Sequence, residues 1–196
     1  MFLWAISAEE LINFMQESFD SIGGYTADFV EIHPGYTYRG TIRVKFPGRF
    51  RLDYKIPGGR TIVCDGRTLW IYLPSLKLAG EQKLKGDVFF SGGASLIALR
   101  KTYNISPAGE SIVDGKNCWV ALLTPKDPSA GFKKMKIYVL KDMGIPVKTE
   151  GETARGSTLI FLIKNIKKTP NLPNDAFRFY PPAEAQMLYD PFFTVR

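Results

Sequence analysis

The sequence contains few of the residues on which metal and nucleophile chemistry depends. Histidine occurs once, at His33, and cysteine occurs twice, at Cys64 and Cys118. Neither cysteine belongs to a Cys-x-x-Cys pair, so zinc binding and thioredoxin-like redox chemistry have no support. His33 precedes Pro34 at a predicted turn, which is typical of a surface or structural histidine. We therefore predict no catalytic residue, no metal site and no enzymatic activity.

Both cysteines lie in strand-like runs. A cysteine in such a run is usually a small, buried hydrophobic residue. The alternative is a disulfide between Cys64 and Cys118 in an oxidising compartment. The sequence leaves both alternatives open, because it does not place the two Cα atoms.

Long hydrophobic runs are also missing, and no apolar segment is long enough to span a bilayer. Residues 1–7 are mostly apolar and lead to the small residues Ser7 and Ala8, as at the end of a secretory signal peptide. Alternatively they lead into the first helix, because Ser7 and Glu10 fit a Ser-x-x-Glu capping box. Both interpretations stay open, and residues 8–196 are predicted to form one domain.

The charge is basic but dispersed. The formal net charge is +7, and tight basic clusters are limited to the segments 133–136 and 167–168. No basic helix or RNA-binding signature is present, so we predict no nucleic-acid partner. The polar face of the predicted sheet carries Arg39, Arg43, Arg49 and Arg51. These side chains either dock an acidic partner or lipid headgroups, or are simply solvated.

What the sequence does contain is a regular alternation of apolar and polar residues from Gly40 to Tyr72. A period of two is typical of strands with one buried face. Turn signals at 47–48, 57–59 and 65–66, the last of them Asp-Gly, divide the stretch into hairpins. The stretch therefore predicts a curved antiparallel sheet with one apolar face.

The other segments extend this pattern. A helix is predicted from Ala8 to Phe19, because apolar residues recur there at helical spacing. A second short helix is predicted within 94–99. Further strands are predicted around 25–33, 76–84, 103–106, 111–113, 117–124, 132–140, 145–153 and 156–167. The predicted fold is mainly β (α+β), an antiparallel meander on which two short helices lie.

The alternating stretch resembles the periplasmic outer-membrane lipoprotein carrier family, LolA and its relatives. The similarity includes the strand that ends at Pro47-Gly48 and the segments 50–54 and 62–72. Its most specific part is the Asp-Gly-x-x-Leu-Trp-x-Tyr hairpin that begins at Asp65. Segments 95–100, 123–126 and 177–182 follow in the order of the family, so the resemblance spans about residues 8 to 182.

This resemblance implies an open, strongly curved antiparallel half-barrel whose concave apolar face is covered by helices. It implies a carrier that holds the acyl chains of a lipoprotein in that cavity and uses no cofactor. Such carriers take their cargo from an inner-membrane ABC transporter, LolCDE, across the periplasm to an outer-membrane receptor, LolB. We expect a monomer. The alternative on the same scaffold is an envelope sensor or regulator that binds lipid or lipoprotein.

One position departs from the family pattern. Members of the family carry an arginine before the proline of a Lys-Arg-Pro turn, and this arginine bonds to the lid helices and keeps the empty cavity shut. Here the latch position is Phe46. A phenylalanine can pack against a lid but has no hydrogen-bond donor in its side chain.

The predicted lipid-binding lining combines the apolar face of the sheet with the two covering segments. Each position can also be an ordinary core residue. The predicted lining residues are Leu11, Met15, Ile42, Val44, Phe50, Leu52, Leu69, Trp70 (on the other parity), Ile71, Leu96, Ile97 and Leu99.

Overall fold

The computed structural model describes residues 6–84, 96–127 and 132–190. In these ranges one sheet of 12 strands carries two α-helices, α1 (Ala8–Ile22) and α2 (Leu96–Thr102). The strands are β1 (Gly24–His33), β2 (Tyr36–Lys45), β3 (Arg49–Ile56), β4 (Gly58–Cys64), β5 (Thr68–Leu73), β6 (Leu78–Lys83), β7 (Tyr103–Val113), β8 (Lys116–Pro125), β9 (Phe132–Leu140), β10 (Pro146–Thr153), β11 (Thr158–Lys168) and β12 (Gln186–Tyr189). Residues 1–5 lie outside the described ranges, so the alternatives for the start of the chain stay predictions.

The predicted open, curved sheet is confirmed. Its strand order is β12-β6-β5-β4-β3-β2-β1-β11-β10-β9-β8-β7, with β12 and β7 at the two edges. The pairing of β1 with β11 joins an N-terminal and a C-terminal meander into one surface. A residue of β1 therefore has neighbours from both ends of the chain.

Two features of the sheet differ from the prediction. Strand β12, which lies in a segment where no strand was predicted, pairs in parallel with β6. A segment of four residues carries too little periodicity to reveal this pairing. Strand β7 is one strand rather than two, because a register shift between Pro107 and Glu110 accommodates the predicted break as a β-bulge.

The register of β2 to β5 confirms the predicted alternation. One cross-strand row consists of Val44, Phe50, Cys64 and Leu69, and the next consists of Ile42, Leu52, Ile62 and Ile71. Residues directly opposite one another in a sheet share a face, so all eight belong to the same face. This is the concave face, on which the helices lie.

Helix α1 begins where its sequence signals indicate and ends one turn later than predicted. The predicted capping box is present: the Glu10 backbone N–H donates to Ser7 Oγ, and the Ser7 backbone N–H donates to Glu10. The helix continues one turn beyond the predicted end at Phe19, to Ile22, and stops at Gly23, whose φ of 68° is in the left-handed region. No helix in the described part of the chain is both long and apolar enough to cross a membrane.

Candidate functional site

The candidate site is the interface between the helices and the concave face. We call α1 and α2 the lid. The first buried cluster, the lid cluster, joins both helices to β7, β8 and β9. Its buried members are Leu11, Ile12, Met15, Phe19, Leu96, Leu99, Tyr103, Ala121, Leu123, Met135, Ile137 and Val139. Of the predicted covering residues, Leu11, Met15, Leu96 and Leu99 are therefore in the interface, and the side chain of Ile97 lies outside the described residues.

A second cluster, the sheet cluster, lies on the N-terminal half of the concave face. It contains the predicted residues Ile42, Val44, Phe50 and Leu52, all nearly or fully buried, and Leu69 packs against it. Ile71 lies on the same face and is half-buried. The sheet cluster therefore extends the apolar part of the concave face beyond the strands that the lid cluster covers.

Trp70 does not share this face. It pairs with Val63, one residue out of phase with Leu69 and Ile71. Its ring contacts Phe179 on the opposite face of the sheet, with 5.7 Å between the ring centroids. Trp70 therefore lies away from the other predicted lining residues, because successive strand residues point to opposite faces.

The latch position connects the two clusters. The Phe46 ring stacks on the Phe19 ring of α1 with 4.0 Å between centroids and an interplanar angle of 8°. Phe46 packs against both the lid cluster and the sheet cluster. Its backbone N–H also donates to the Gly23 carbonyl at the end of α1, at 3.0 Å. In place of a polar latch, this chain thus has an aromatic contact between sheet and lid.

A pocket of about 260 Å³ opens between the two halves of the concave face. Its apolar lining comes from Ile62, Phe132, Met135, Leu159, Ile160 and Phe161. It is slightly smaller than typical small-molecule pockets, which start at about 300 Å³. The lid covers the concave face over β7, β8 and β9, so a long acyl chain reaches that part of the face only if α1 or α2 moves.

The same pocket contains polar groups that sequence reasoning missed. Glu31, Tyr54, Arg60 and Thr149 line it. The Tyr54 hydroxyl donates to Glu31, and Arg60 Nη2 lies 3.2 Å from the same carboxylate. Burial, and secondly the Glu31 carboxylate, raises the pKa of Tyr54, so its hydroxyl stays a donor. No spacing signal identifies these residues, because they come from different strands.

The convex face carries a larger and more open groove of about 780 Å³. Arg43 and Arg51, two of the arginines considered for docking, both form ion pairs with Asp53, at 2.8 and 3.0 Å. The one carboxylate therefore offsets one of the two positive charges. Arg49 donates to Asn174 and to the Asp65 carbonyl.

The cysteines are unpaired and buried, in two different clusters. Burial raises the pKa of the Cys64 thiol to about 11, and it also raises the pKa of Cys118. Both thiols are therefore packing residues in this structure. Among the described residues no group of three or more His, Cys, Asp or Glu side chains is arranged to hold a metal ion.

Comparison with known sequences gives one family. The family described as outer membrane lipoprotein carrier protein LolA matches residues 22–180. An outer-membrane lipoprotein carrier protein of Dechloromonas aromatica is 31% identical over 153 residues, which are 76% of this chain and 70% of that protein. An uncharacterised protein of Methanocaldococcus jannaschii is 28% identical over 191 residues, which are 93% of this chain. The match spans 54% of that relative's length.

Comparison with solved structures gives the same fold. A conserved protein of Thermus thermophilus superposes with a TM-score of 0.66 at 16% identity, covering 93% of this chain and 98% of that one. MucB in the MucA/MucB complex of Pseudomonas aeruginosa superposes with a TM-score of 0.56 at 18% identity. That match covers 91% of this chain and 63% of the other. At these identities the likeness concerns the fold alone.

Proposed function

This chain belongs to the LolA family of outer membrane lipoprotein carrier proteins, and we propose that it is a non-enzymatic carrier that shelters acyl chains between its lid and its concave face. The observation that carries this proposal is the continuous apolar interface between α1, α2 and the sheet. A continuous apolar surface has to be covered when no ligand is bound, because large exposed apolar patches promote aggregation. The lid provides that cover.

Burying the apolar side chains of α1 and burying an acyl chain release similar amounts of free energy. Helix α1 buries Leu11, Ile12, Met15, Phe19 and Ile22, and each fully buried side chain of this kind is worth about 1.5–3 kcal/mol. An acyl chain with about 14 buried methylenes offers roughly 11 kcal/mol. An acyl chain can therefore replace much of the contact that α1 loses when it leaves the sheet. On binding, the acyl chain of the cargo takes the place of the α1 side chains against the concave face.

The finer steps of the proposal concern compartment and partners. In the cycle that the family suggests, the carrier works in the periplasm, receives a lipoprotein from a LolCDE-type transporter and delivers it to a LolB-type receptor. The curated relative from Dechloromonas aromatica, named as an outer-membrane lipoprotein carrier protein, supports this cycle. Phe46 changes one part of it, because the lid of this chain opens by separating two aromatic rings rather than by breaking arginine hydrogen bonds.

A second function on the same scaffold is that of an envelope regulator that binds lipid or lipoprotein. The structural likeness to MucB, which was crystallised in complex with MucA, favours this alternative. Both functions use the same apolar interface. They differ in whether the bound lipid is passed on, so transfer of a bound acylated probe to acceptor vesicles separates a carrier from a sensor.

The test of acyl-chain binding compares two faces of one strand. Ile71→Glu places a carboxylate on the half-buried concave face, whereas Thr68→Glu places it on the other face, opposite Lys83. We expect native mass spectrometry of the parent protein, purified from an envelope fraction, to show a mass that delipidation removes. We expect Ile71→Glu to lose that mass and Thr68→Glu to keep it. A parent protein without bound lipid, or two variants that behave alike, would count against the proposal.

A further inference from the structure

One row of directly paired residues crosses the middle of the concave face. It runs Tyr38, Glu31, Phe161, Thr149 and Ile137, on strands β2, β1, β11, β10 and β9. Residues paired in this way share a face. The row therefore brings two polar side chains, Glu31 and Thr149, onto the concave face, with Phe161 between them.

Arg60 of β4 joins this row from the side. Its guanidinium carbon lies 3.7 Å from the Tyr54 ring centroid and 4.7 Å from that of Tyr38, so the side chain rests on two aromatic rings. Its Nη2 atom pairs with Glu31 at 3.2 Å. These contacts fix the guanidinium at the wall of the 260 Å³ pocket.

Two polar atoms at this pocket have no hydrogen-bond partner among the described residues. They are Arg60 Nε and Thr149 Oγ1, and both are buried. Thr149 is only 5% exposed. A buried donor without a partner costs about 1–3 kcal/mol, and native proteins usually avoid that cost. Arg60 and Thr149 are both lining residues of one pocket, together with the apolar residues named above.

We propose that Arg60 Nε and the Thr149 hydroxyl bind the carbonyl oxygen of a fatty-acyl ester whose alkyl chain lies along the adjoining apolar lining. This inference rests on the proposed carrier function and names the part of the cargo that the site recognises. The alkyl chain supplies affinity through apolar burial. The ester carbonyl supplies the acceptor that the two donors lack, and it thereby fixes the depth at which the chain sits.

The charges around the pocket favour an ester over a free fatty acid. Glu31 pairs with Arg60 at 3.2 Å through one oxygen and contacts His33 through the other, so the guanidinium beside the two free donors already has a carboxylate counter-charge. A carboxylate brought to the same position would face the Glu31 carboxylate, and like charges at short range repel. An ester carbonyl accepts the same hydrogen bonds without a charge.

The test uses ligands that differ only at the proposed acceptor. Methyl dodecanoate, dodecyl methyl ether and dodecanoate share one alkyl chain, and their affinities are measured by displacement of a fluorescent acyl probe. We expect the parent protein to bind the ester about 3- to 10-fold more tightly than the ether, as one or two net hydrogen bonds predict. We expect Thr149→Val and Arg60→Lys to lose this preference while their affinity for the ether stays unchanged.

Two controls and one stability measurement separate the site from a structural role. Thr149→Ser keeps a hydroxyl and should keep the preference, as should Thr41→Val, since Thr41 lines the convex groove. Thr149→Val should also raise the melting temperature, because it replaces an unpaired buried hydroxyl by a methyl group of similar shape. A structural hydroxyl would give the opposite change.

Each outcome bears on a different claim. Equal binding of ester and ether by the parent protein would overturn the carbonyl site and leave the carrier function standing. A parent protein that binds neither would overturn both. Tighter binding of dodecanoate than of the ester would show a site for anions and would also overturn the proposal.

Discussion

Removing the Phe46 ring tests whether the aromatic contact between sheet and lid controls access to the concave face. The half-buried ring stacks on Phe19 at 4.0 Å, and an aromatic pair adds about 0.5–1.5 kcal/mol beyond its burial. Part of the apolar area that the Phe46 ring buries also lies against the lid. Phe46→Ala should therefore weaken the closed state by about 2 kcal/mol. Because about 1.4 kcal/mol corresponds to a factor of ten, the lid-opening equilibrium should rise about 30-fold.

The consequence for binding follows from the population of the open state. If the part of the concave face under the lid accepts an acyl chain only with the lid open, apparent affinity scales with the fraction of open molecules. Phe46→Ala should therefore bind a fluorescent acyl probe more tightly, by up to about 30-fold, although the protein itself becomes less stable. Amide hydrogen exchange of α1 should accelerate by a similar factor, since exchange reports local opening.

Phe179→Ala is the matched control. Phe179 is also a half-buried phenylalanine in an aromatic contact, but its partners are Trp70 and Tyr72 on the opposite face. We expect it to lower stability without changing probe affinity or the exchange of α1. Unchanged or weaker probe binding by Phe46→Ala, together with parental exchange of α1, would refute the assignment of Phe46 as the lid contact.

Two further predictions concern packing. Gly40→Ala should lower the free energy of unfolding by about 1–3 kcal/mol in chemical denaturation, because a Cβ there would clash with the backbone carbonyl oxygen of Asp53 and lie 2.7 Å from the Phe29 ring; an unchanged denaturation midpoint would show that both β3 and the ring move aside at no cost. Cys64 and Cys118 should react with a thiol reagent at pH 8 only after unfolding, because burial blocks access and raises the pKa of both thiols. With a pKa of about 11, Cys64 is about one thousandth thiolate at that pH; rapid labelling of the folded protein would contradict the prediction.

Much of the scaffold could be predicted from local patterns. The alternation from Gly40 to Tyr72 placed eight residues on one face, because in a strand the side chain alternates with every residue and the period is visible in sequence. The capping box of α1 was equally visible, since its two partners are three residues apart. Most of the predicted lining follows from the alternation along the strands and from the helical spacing of apolar residues in α1.

The errors have the same physical origin. Strand β12 was not predicted because its parallel pairing with β6 depends on a partner about 100 residues away, not on its own four residues. Trp70 was included in the lining although its parity differs from that of Leu69 and Ile71, and the register places it on the other face. A large apolar residue can serve either face of a sheet, and only the register decides between them.

By itself, the sequence determined the mainly β fold, the apolar face and the capped helix, because each of these depends on residues close together in the chain. The tertiary structure alone decided that Phe46 lies on Phe19 and that Arg60 and Thr149 share a pocket with Glu31. The physical reason is the pairing of β1 with β11, which joins the two ends of the chain into one sheet. Contacts across that junction have no period along the chain, so they exist only once the sheet has formed.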